Sequence, residues 1–401
     1  MSPTSVRVGE RAADVESPAL VIDLDAMERN LAAMAAFARE RRVRLRPHAK
    51  MHKSAVLARA QMAAGAVGVC VQKLSEAEAL AGAGVPDIFI TNEVIAPSKL
   101  ARLAELARQV RLAVAVDSAL GVERLARALQ RARSSADVFV EIDVGQGRCG
   151  VAPAAAGALA QQVVAQGQAD GGMRLAGLQA YHGGAQHLRS AAEREAAVRQ
   201  AVARVRAAQA SITRAGMSCP LVSGAGTGTF EFEAASGVYG ELQAGSYLFM
   251  DRDYADNQPG ADASAPRFEH ALFVKSQVVS RGVSHAVVDA GHKAHAIDSG
   301  PPRIWCSEGD ASRTAGRPDE SVVRGRFAAG LVFANGGDEH GIVRTIDAAA
   351  ALPELGDTVW LVPGHCDPTV NLHDRYVAVR GGLAHGVVEA LWPIDARGCL
   401  V

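Results

Sequence analysis

The feature that most constrains the fold of this chain is an alternation of eight short apolar segments with helix-forming segments rich in Ala, Arg and Glu. This alternation is typical of a parallel eight-stranded barrel. An open, doubly wound sheet is the competing fold, but no GxGxxG fingerprint follows the first strand. We therefore predict an α/β fold with a parallel (β/α)8 TIM-like barrel. The predicted strands are the segment beginning at Val43 and residues 67–73, 87–92, 112–117, 137–143, 175–182, 220–224 and 241–249.

Beyond the predicted barrel, the pattern changes to short apolar stretches separated by Gly, Pro and Asp. This texture predicts a mostly antiparallel β domain. A chain of 401 residues also fits about two domains. We expect an N-terminal segment, 1–24, that packs with the β domain, then a barrel over 25–260 and a β domain over 261–401. Residues 298–324 are predicted to be irregular, and the sequence assigns them no function.

Composition excludes several classes of protein. The formal net charge of -1 argues against nucleic-acid binding. The sequence has no run of 18 apolar residues, so we predict no membrane span. The first residues lack the apolar core of a signal peptide, so we expect a cytoplasmic protein. Six cysteines lie scattered without a CxxC pair, which indicates reduced thiols rather than disulfides or a zinc cluster.

Lys50 is the candidate nucleophile. Charged and apolar residues alternate over 43–46, which predicts a strand, and Pro47 ends it because proline has no N–H to donate. Lys50 therefore follows a strand end, where barrels of this kind carry their chemistry. A lysine becomes nucleophilic when burial or neighbouring cations lower its pKa, and Arg46 and Lys53 are candidate cations. The alternative is one surface lysine among several, which the local residues alone favour.

Polar residues recur at or just beyond the ends of the predicted strands. In a barrel these ends converge on one mouth, so we expect the side chains to line a pocket. They are Lys50, Gln72, Asn92, Asp117, Asp143 with Arg148, Tyr181 with His182, Thr227 and Ser246.

Two glycine-rich segments refine this pocket. Residues 223–229 follow the seventh strand, and Gly245 and Ser246 lie within the eighth. Backbone N–H groups and hydroxyls in such loops can hold a phosphate, although a tight turn is the alternative. The position after strand seven favours the phosphate interpretation, because this barrel often binds phosphate there.

A second chemical cluster lies in the predicted β domain at His365-Cys-Asp367. In an extended segment, residues two apart point to the same side, so His365 and Asp367 can reach one ion while Cys366 faces away. An imidazole with a carboxylate suits Mn²⁺, Mg²⁺, Co²⁺ or Zn²⁺. Two ligands are too few for a closed structural zinc site. The alternative is a hydrogen-bonded His/Asp turn without metal.

Several motifs together resemble one enzyme family from about residue 15 to the end. The chain is similar to D-threonine aldolases, D-3-hydroxyaspartate aldolases and metal-activated D-serine dehydratases, which are fold-type III pyridoxal phosphate enzymes related to alanine racemase. The resemblance lies in Arg46-Pro-His-Ala-Lys50, Gly68-Val-Cys-Val-Gln-Lys73, Thr91-Asn-Glu93, Asp143-Val-Gly-Gln-Gly-Arg-Cys-Gly150, Gln179-Ala-Tyr-His-Gly183, Gly226-Thr-Gly228, Leu242-Gln-Ala-Gly-Ser-Tyr247 and His365-Cys-Asp-Pro-Thr369.

The resemblance implies a role for each matching residue. Lys50 would bind pyridoxal 5'-phosphate covalently, and His365 and Asp367 would hold a divalent metal. His187 matches a family histidine near the metal-bound water, and it would act as a proton acceptor. The residues implied around the cofactor are Gln72 and Tyr181 at the ring, Arg148 beside Tyr181, and Thr227, Gly245, Ser246 and Tyr254 at the phosphate.

The resemblance also implies the reaction. Family dehydratases tend to have cysteine at the second metal position and aldolases aspartate, so Asp367 favours metal-dependent retro-aldol cleavage of a β-hydroxy-D-amino acid. We expect D-threonine as substrate, with D-3-hydroxyaspartate nearly equal. A D-serine or D-3-hydroxyaspartate dehydratase is the alternative. A carboxylate ligand favours Mn²⁺ or Mg²⁺ over Co²⁺ or Zn²⁺.

Two neighbouring functions fit less well. A non-catalytic pyridoxal-phosphate-binding protein also has a barrel and a cofactor lysine, but such proteins lack the second β domain. A racemase needs two opposed acid/base groups at Cα rather than a metal at the β-oxygen. The resemblance further implies a head-to-tail homodimer, in which the β domain of one subunit closes the barrel mouth of the other.

Overall fold

A computed structural model describes residues 6–170, 172–307 and 325–401. The described chain folds into two compact units. The barrel unit comprises Ala33–Gly245, Asn257–Pro266 and Gly398–Val401. The β unit comprises the described residues up to Ala32, Ser246–Asp256 and the described part of Arg267–Arg397. Residues 25–32 and 246–256, which the predicted bounds assign to the barrel, thus cluster with the β unit, and residues 261–266 and 398–401, assigned to the β domain, cluster with the barrel unit.

The barrel unit contains a parallel eight-stranded sheet, whereas the first strand of the chain, β1 (Ala19–Asp23), lies in the β unit. The barrel strands run in the order β2-β9-β8-β7-β6-β5-β4-β3. A parallel bridge between His48 and Cys70 joins the two ends, so the sheet closes. The barrel strands are β2 (Arg44–Leu45), β3 (Val69–Val71), β4 (Asp87–Glu93), β5 (Arg111–Val116), β6 (Ala136–Glu141), β7 (Met173–Ala180), β8 (Val222–Gly224) and β9 (Glu241–Leu242).

A helix precedes β2, and helices follow seven of the barrel strands. Helix α5 shows how the sequence forms them: the Ser118 hydroxyl accepts a hydrogen bond from the Gly121 N–H at its start, and Leu125 and Leu129 are buried on one face. The helices are α1 (Leu24–Glu40), α2 (Ala55–Ala63), α3 (Leu74–Gly82), α4 (Pro97–Leu106), α5 (Ala119–Ala132), α6 (Ala156–Asp170), α7 (Ala191–Arg214) and α8 (Phe230–Ala235).

Alternation along the strands separates an outer from an inner barrel face. Val69 and Val71 belong to the large apolar core that the helices cover, whereas Cys70 between them belongs to a small interior cluster. Phe89 and Phe139 stack in that interior cluster with ring centroids 4.4 Å apart. Glu93 pairs with the interior residue Ala115 across a register shift in β4, and Glu141 stands two positions beyond Phe139, so we assign both to the inner face.

The β unit is built on a mixed sheet. Its main path is β13-β12-β16-β10-β1-β17-β18, and β11, β15 and β14 extend it from β10. Among the described residues, the pairing of β1 with β17 is parallel and the other strand pairs are antiparallel. The strands are β10 (Leu272–Arg281), β11 (Ala286–Val288), β12 (Arg303–Ser307), β13 (Gly325–Phe327), β14 (Leu331–Asn335), β15 (Gly341–Thr345), β16 (Thr358–Val362), β17 (Arg375–Arg380) and β18 (Val387–Pro393). Helices α9 (Arg252–Ala255) and α10 (Cys366–Val370) complete the unit.

The predicted fold class is confirmed, with two local corrections. The eighth barrel strand, predicted over 241–249, ends at Leu242, and Ser246–Leu248 form a 3-10 helix instead. Part of the segment predicted to be irregular is regular, because β12 pairs with both β13 and β16. The remainder of that segment, residues 308–324, lies outside the described residues. In the part of the chain that the structure describes, no helix is long and apolar enough to cross a membrane.

Candidate active site

The inner-face alternation brings several predicted site residues to one mouth of the barrel. Gln72 stands two positions beyond the inward-facing Cys70 at the carboxyl end of β3, and Lys50 and Tyr181 follow the carboxyl ends of β2 and β7. Glu93 rather than the predicted Asn92 has the inward position at the end of β4. The Asn92 amide instead donates to the Gln72 carbonyl oxygen at 3.1 Å, between neighbouring strands.

A short hydrogen-bonded chain fixes the backbone of Lys50. The Lys50 N–H donates to His48 Nδ1 at 3.4 Å, and His48 Nε2 lies 3.1 Å from Thr91 Oγ1. The Thr91 hydroxyl in turn donates to the Val71 carbonyl oxygen at 3.2 Å. These partners require Nδ1 to accept and Nε2 to donate, which is the neutral Nε2–H tautomer. His48 therefore links the lysine loop to β3 and β4.

The two cations predicted to act on Lys50 are both paired with carboxylates. Lys53 Nζ lies 2.6 Å from Glu76 Oε1. Arg46 contacts Asp87 at 2.5 Å and Glu241 at 3.3 Å. Burial alone would lower the pKa of Arg46, but these two carboxylates outweigh it and raise the pKa above its usual value. Arg46 and Lys53 therefore each lie in an ion pair, and their effect on Lys50 stays a prediction.

The Gln186 side chain makes two hydrogen bonds to the glycine loop after β8. The Gly228 N–H donates to Gln186 Oε1 at 3.0 Å, and Gln186 Nε2 donates to Thr229 Oγ1 at 2.8 Å. Gly226 must be glycine, because an added Cβ would lie 2.5 Å from Gln186 Oε1. Thr227 is buried in the same loop. Gln186 also precedes His187 in the 3-10 helix Gly183–His187, so one amide fixes both segments.

Gly245 approaches the lysine loop closely. A Cβ at this position would lie 2.7 Å from the His48 carbonyl oxygen, so the sequence requires glycine here. The loop from Asp143 to Gly150 lies on the same side of the barrel, and its Arg148 guanidinium lies 5.9 Å from the centroid of the Tyr181 ring. An amine, hydroxyls, backbone amides and a cation thus surround the mouth, and these groups fit a phosphorylated aldehyde cofactor.

In the β unit, His365 and Asp367 converge as predicted, but not on an extended segment. His365 is the N-cap of α10 and Asp367 lies in the first helical turn. His365 Nε2 lies 3.7 Å from Asp367 Oδ1, and ligand atoms about 2.0–2.2 Å from one ion can be that far apart. His365 Nδ1 lies 2.7 Å from Asp298 Oδ2. A carboxylate on the second nitrogen is the usual support of a metal-binding histidine. The donor set therefore fits a divalent ion.

Electrostatics in this cluster are dominated by carboxylates. Burial alone would lower the pKa of His365, but Asp367, Asp298 and Asp251 together raise it. Such a negative environment attracts a cation, whether a proton or a metal ion.

Buried Asp251 ties the candidate metal loop to α9. Its Oδ2 accepts from the Cys366 N–H at 3.0 Å, and its Oδ1 accepts from the Tyr254 N–H at 3.0 Å. Burial raises the pKa of Asp251 to about 6. The backbone of Tyr254, which is predicted near the phosphate, is thus linked through the Asp251 carboxylate to Cys366, the residue after His365. Ser246, another predicted phosphate residue, is buried at the start of the 3-10 helix in this unit.

The predicted site residues divide between the two units. Lys50, Gln72, Arg148, Tyr181, His187, Thr227 and Gly245 belong to the barrel unit, and Ser246, Tyr254, His365 and Asp367 belong to the β unit. Sequence reasoning missed Asp251, Asp298 and Glu141. The period-two alternation of β6 could have indicated Glu141, but no local signal marks Asp251 or Asp298.

Known proteins match both units. The family "Alanine racemase, N-terminal domain" matches residues 22–253, and the family "Putative serine dehydratase domain" matches residues 271–379. Fold and sequence thus define an alanine racemase-like barrel protein with a dehydratase-type β domain.

Relatives that match over the whole length narrow this class. The chain is 44% identical over 398 residues to D-threonine aldolase of Arthrobacter sp., covering 99% of this chain and 96% of that protein. It is 40% identical over 395 residues to 3-hydroxy-D-aspartate aldolase of Paracoccus denitrificans (strain Pd 1222), with coverage of 97% and 94%. The crystal structure of D-threonine aldolase from Filomicrobium marinum matches with a TM-score of 0.88 at 45% identity, covering 99% of both chains. The chain belongs to the family of D-threonine and 3-hydroxy-D-aspartate aldolases, and the resemblance predicted from its motifs is confirmed.

Proposed function

We propose that this protein is a pyridoxal-phosphate- and divalent-metal-dependent aldolase that cleaves β-hydroxy-D-amino acids. D-threonine would give glycine and acetaldehyde, and D-3-hydroxyaspartate would give glycine and glyoxylate. The observation that carries the proposal is the convergence of His365 and Asp367, with Asp298 behind the imidazole, in a chain of the aldolase family.

The chain's own residues supply binding, orientation and proton transfer. Bound pyridoxal phosphate supplies an electron sink for the α-carbon, and a bound divalent ion supplies a Lewis acid for the β-hydroxyl. Lys50 holds the cofactor covalently through Nζ, and Gln72 and Tyr181 flank its ring. His187 accepts the proton of the substrate β-hydroxyl through its imidazole nitrogen.

The remaining assignments concern the cofactor phosphate, the Arg148 guanidinium and the metal ion. Thr227, Gly245, Ser246 and Tyr254 surround the cofactor phosphate with hydroxyls and backbone N–H groups. Arg148 orients Tyr181. The carboxylate of Asp367 favours Mn²⁺ or Mg²⁺, with Co²⁺ or Zn²⁺ as weaker alternatives.

The reaction is tested by product analysis. The holoenzyme loaded with Mn²⁺ is incubated with D-threonine, and glycine and acetaldehyde are expected in equal amounts. Ammonia and 2-oxobutanoate would instead identify a dehydratase, the activity that the second family match suggests. Activity that survives exhaustive removal of metal ions by a chelator would contradict the proposed metal dependence.

The metal assignment has a separate test. Asp367→Ala should abolish cleavage and lower metal content while the cofactor absorbance stays. Asp374→Ala is a matched control seven residues further along the chain, because Asp374 pairs with Arg397 at an exposed position. Equal metal loss in both variants would refute Asp367 as a ligand.

We further propose a head-to-tail homodimer whose two subunits complete each other's site. Lys50→Ala and Asp367→Ala should each be inactive alone. After the two variants are unfolded and refolded together, about a quarter of the wild-type activity is expected, because half of the dimers are mixed and half of their sites are intact. No recovery, or a monomer in light scattering, would refute this arrangement.

A further inference from the structure

Two carboxyl groups in the barrel lie close to each other and to one thiol. Glu93 ends β4, Glu141 ends β6, and Cys149 lies in the loop that follows β6. One ligand atom from each of the three lies within 4.8 Å of the others. Glu141 is 4% exposed, and its Oε2 is buried. Among the described residues, no donor reaches Glu141 Oε2 or Glu93 Oε1.

Strand register explains why these side chains meet. β4 and β6 both pair with β5, and Glu93 and Phe139 both pair with Ala115 on that central strand. Ala115 faces inward and is small, so it leaves room above it for the longer side chains of the flanking strands. Asp117, two positions further on, accepts a hydrogen bond from the Gly150 N–H at 3.3 Å.

Two adjacent ionised carboxylates would be unfavourable at such a buried position. Burial, the charge of Glu93 and the charge of Asp117 raise the pKa of Glu141 to about 9, although Arg148 opposes them. Burial and Asp117 also raise the pKa of Glu93. Burial and the two glutamates raise the pKa of the Cys149 thiol to about 11, so the thiol stays neutral. One proton on the glutamate pair gives each buried oxygen a partner.

The same cluster lies beside the cation of the candidate site. The Asp143 carboxylate fixes the backbone of this loop by accepting from the Gly145 and Gly147 N–H groups at 2.8 and 3.0 Å. The Arg148 side chain extends from this fixed loop over the Tyr181 ring, and it attracts the charge of Glu141. The charge of the glutamate pair therefore acts on the guanidinium that lies over the Tyr181 ring.

We propose that Glu93 and Glu141 share one proton and, as a singly charged pair, orient the Arg148 guanidinium against Tyr181. They are positioning residues, and the inference rests on the proposed function in the role it gives to Arg148 and Tyr181. A divalent ion held by Glu93, Glu141 and Cys149 is the competing explanation, and the adjacent guanidinium disfavours it.

The shared proton predicts a distinctive pattern in glutamine variants. If either glutamate becomes glutamine, the remaining carboxyl loses its ionised neighbour and can carry the single negative charge itself. The double variant has no charge left. In the holoenzyme, we therefore expect Glu93→Gln/Glu141→Gln to lose about tenfold or more in kcat/KM relative to either single variant, because a guanidinium that loses its orienting charge is misplaced at the site. Single variants as impaired as the double variant would overturn the proposal.

The pH profile and the infrared spectrum test the proton itself. Above about pH 9 the wild-type pair takes a second negative charge, so its activity and cofactor absorbance should change there, while the single variants should lack this change. Difference infrared spectroscopy of wild type against Glu141→Gln should show a protonated carboxyl C=O band near neutral pH. A missing band would refute the shared proton even if D-threonine proves not to be a substrate.

Metal analysis separates the competing explanation. Wild type and Cys149→Ser are dialysed against Zn²⁺ and their metal content is measured after gel filtration. Equal content in the two proteins supports the proton-sharing pair, because the His365/Asp367 site is intact in both. One fewer Zn²⁺ per chain in Cys149→Ser would overturn it in favour of a metal site.

Discussion

The ion pair between Lys53 and Glu76 gives a quantitative test of how the barrel supports its lysine loop. The two side chains are 8% and 4% exposed, and Nζ lies 2.6 Å from Oε1. Glu76 Oε2 also accepts from the backbone N–H groups of Gln72 and Lys73 at 2.9 and 3.0 Å. Lys53→Met keeps the length of the side chain but leaves the Glu76 carboxylate buried without its cation. Removing one partner of a buried ion pair lowers the free energy of unfolding by about 3–5 kcal/mol. We expect a loss near the lower limit here, because the two backbone N–H groups still donate to the Glu76 carboxylate.

Urea denaturation of the holoenzyme, followed by circular dichroism, measures this cost. Arg102→Met is the matched control, because Arg102 pairs with Glu78 at positions 47% and 31% exposed, where solvent screens the pair and its loss has little effect on stability. The double change Lys53→Met/Glu76→Gln removes the unpaired charge and should recover part of the loss. Equal destabilisation by Lys53→Met and Arg102→Met, or no recovery in the double variant, would refute the reasoning.

Three further predictions concern single positions. Burial raises the pKa of Glu233 to about 7 from its usual 4.5. The unfolded chain therefore ionises at lower pH than the folded protein, and the free energy of unfolding falls as pH rises between these two values. In urea denaturation, Glu233→Gln should raise the free energy of unfolding by up to about 3 kcal/mol at pH 8 and by little at pH 5. Asp298→Asn should weaken Mn²⁺ binding about 10- to 100-fold in calorimetry, because His365 loses its carboxylate partner; unchanged affinity would contradict this role. Gly150→Ala should cost about 1–3 kcal/mol more than the control Gly65→Ala, because both positions have a positive φ (+96° and +113°) but only at Gly150 would the new Cβ lie 2.5 Å from a backbone carbon.

The barrel was predictable because its signal is periodic and local. Each strand and the helix after it can be recognised within about twenty residues of sequence, as with Arg111–Val116 and Ala119–Ala132. The eighth strand was predicted too long, because the apolar residues that follow Leu242 are buried for another reason: Tyr247 and Phe249 are core residues of the β unit. Apolar content alone does not distinguish a strand from a buried 3-10 turn.

The candidate site was predictable only where a motif carries it. Lys50, His365 and Asp367 stand in recognisable runs, but their supporting carboxylates come from distant parts of the chain. Asp298 lies 67 positions before His365, and Asp251 lies 115 positions before Cys366. Such partners are set by three-dimensional packing, which a single sequence does not encode in any local pattern.

The ion pairs of Arg46 and Lys53 bear on how much these two cations contribute to the reactivity of Lys50. Arg46 and Lys53 each have a carboxylate within hydrogen-bonding distance, so both act on their surroundings as nearly neutral pairs. The field of a close ion pair falls off faster with distance than that of a single charge. We therefore expect the bound cofactor, rather than these two cations, to set the reactivity of the Lys50 amine. Neutralising Arg46 or Lys53 should accordingly change stability far more than the rate at which Lys50 reacts with an aldehyde.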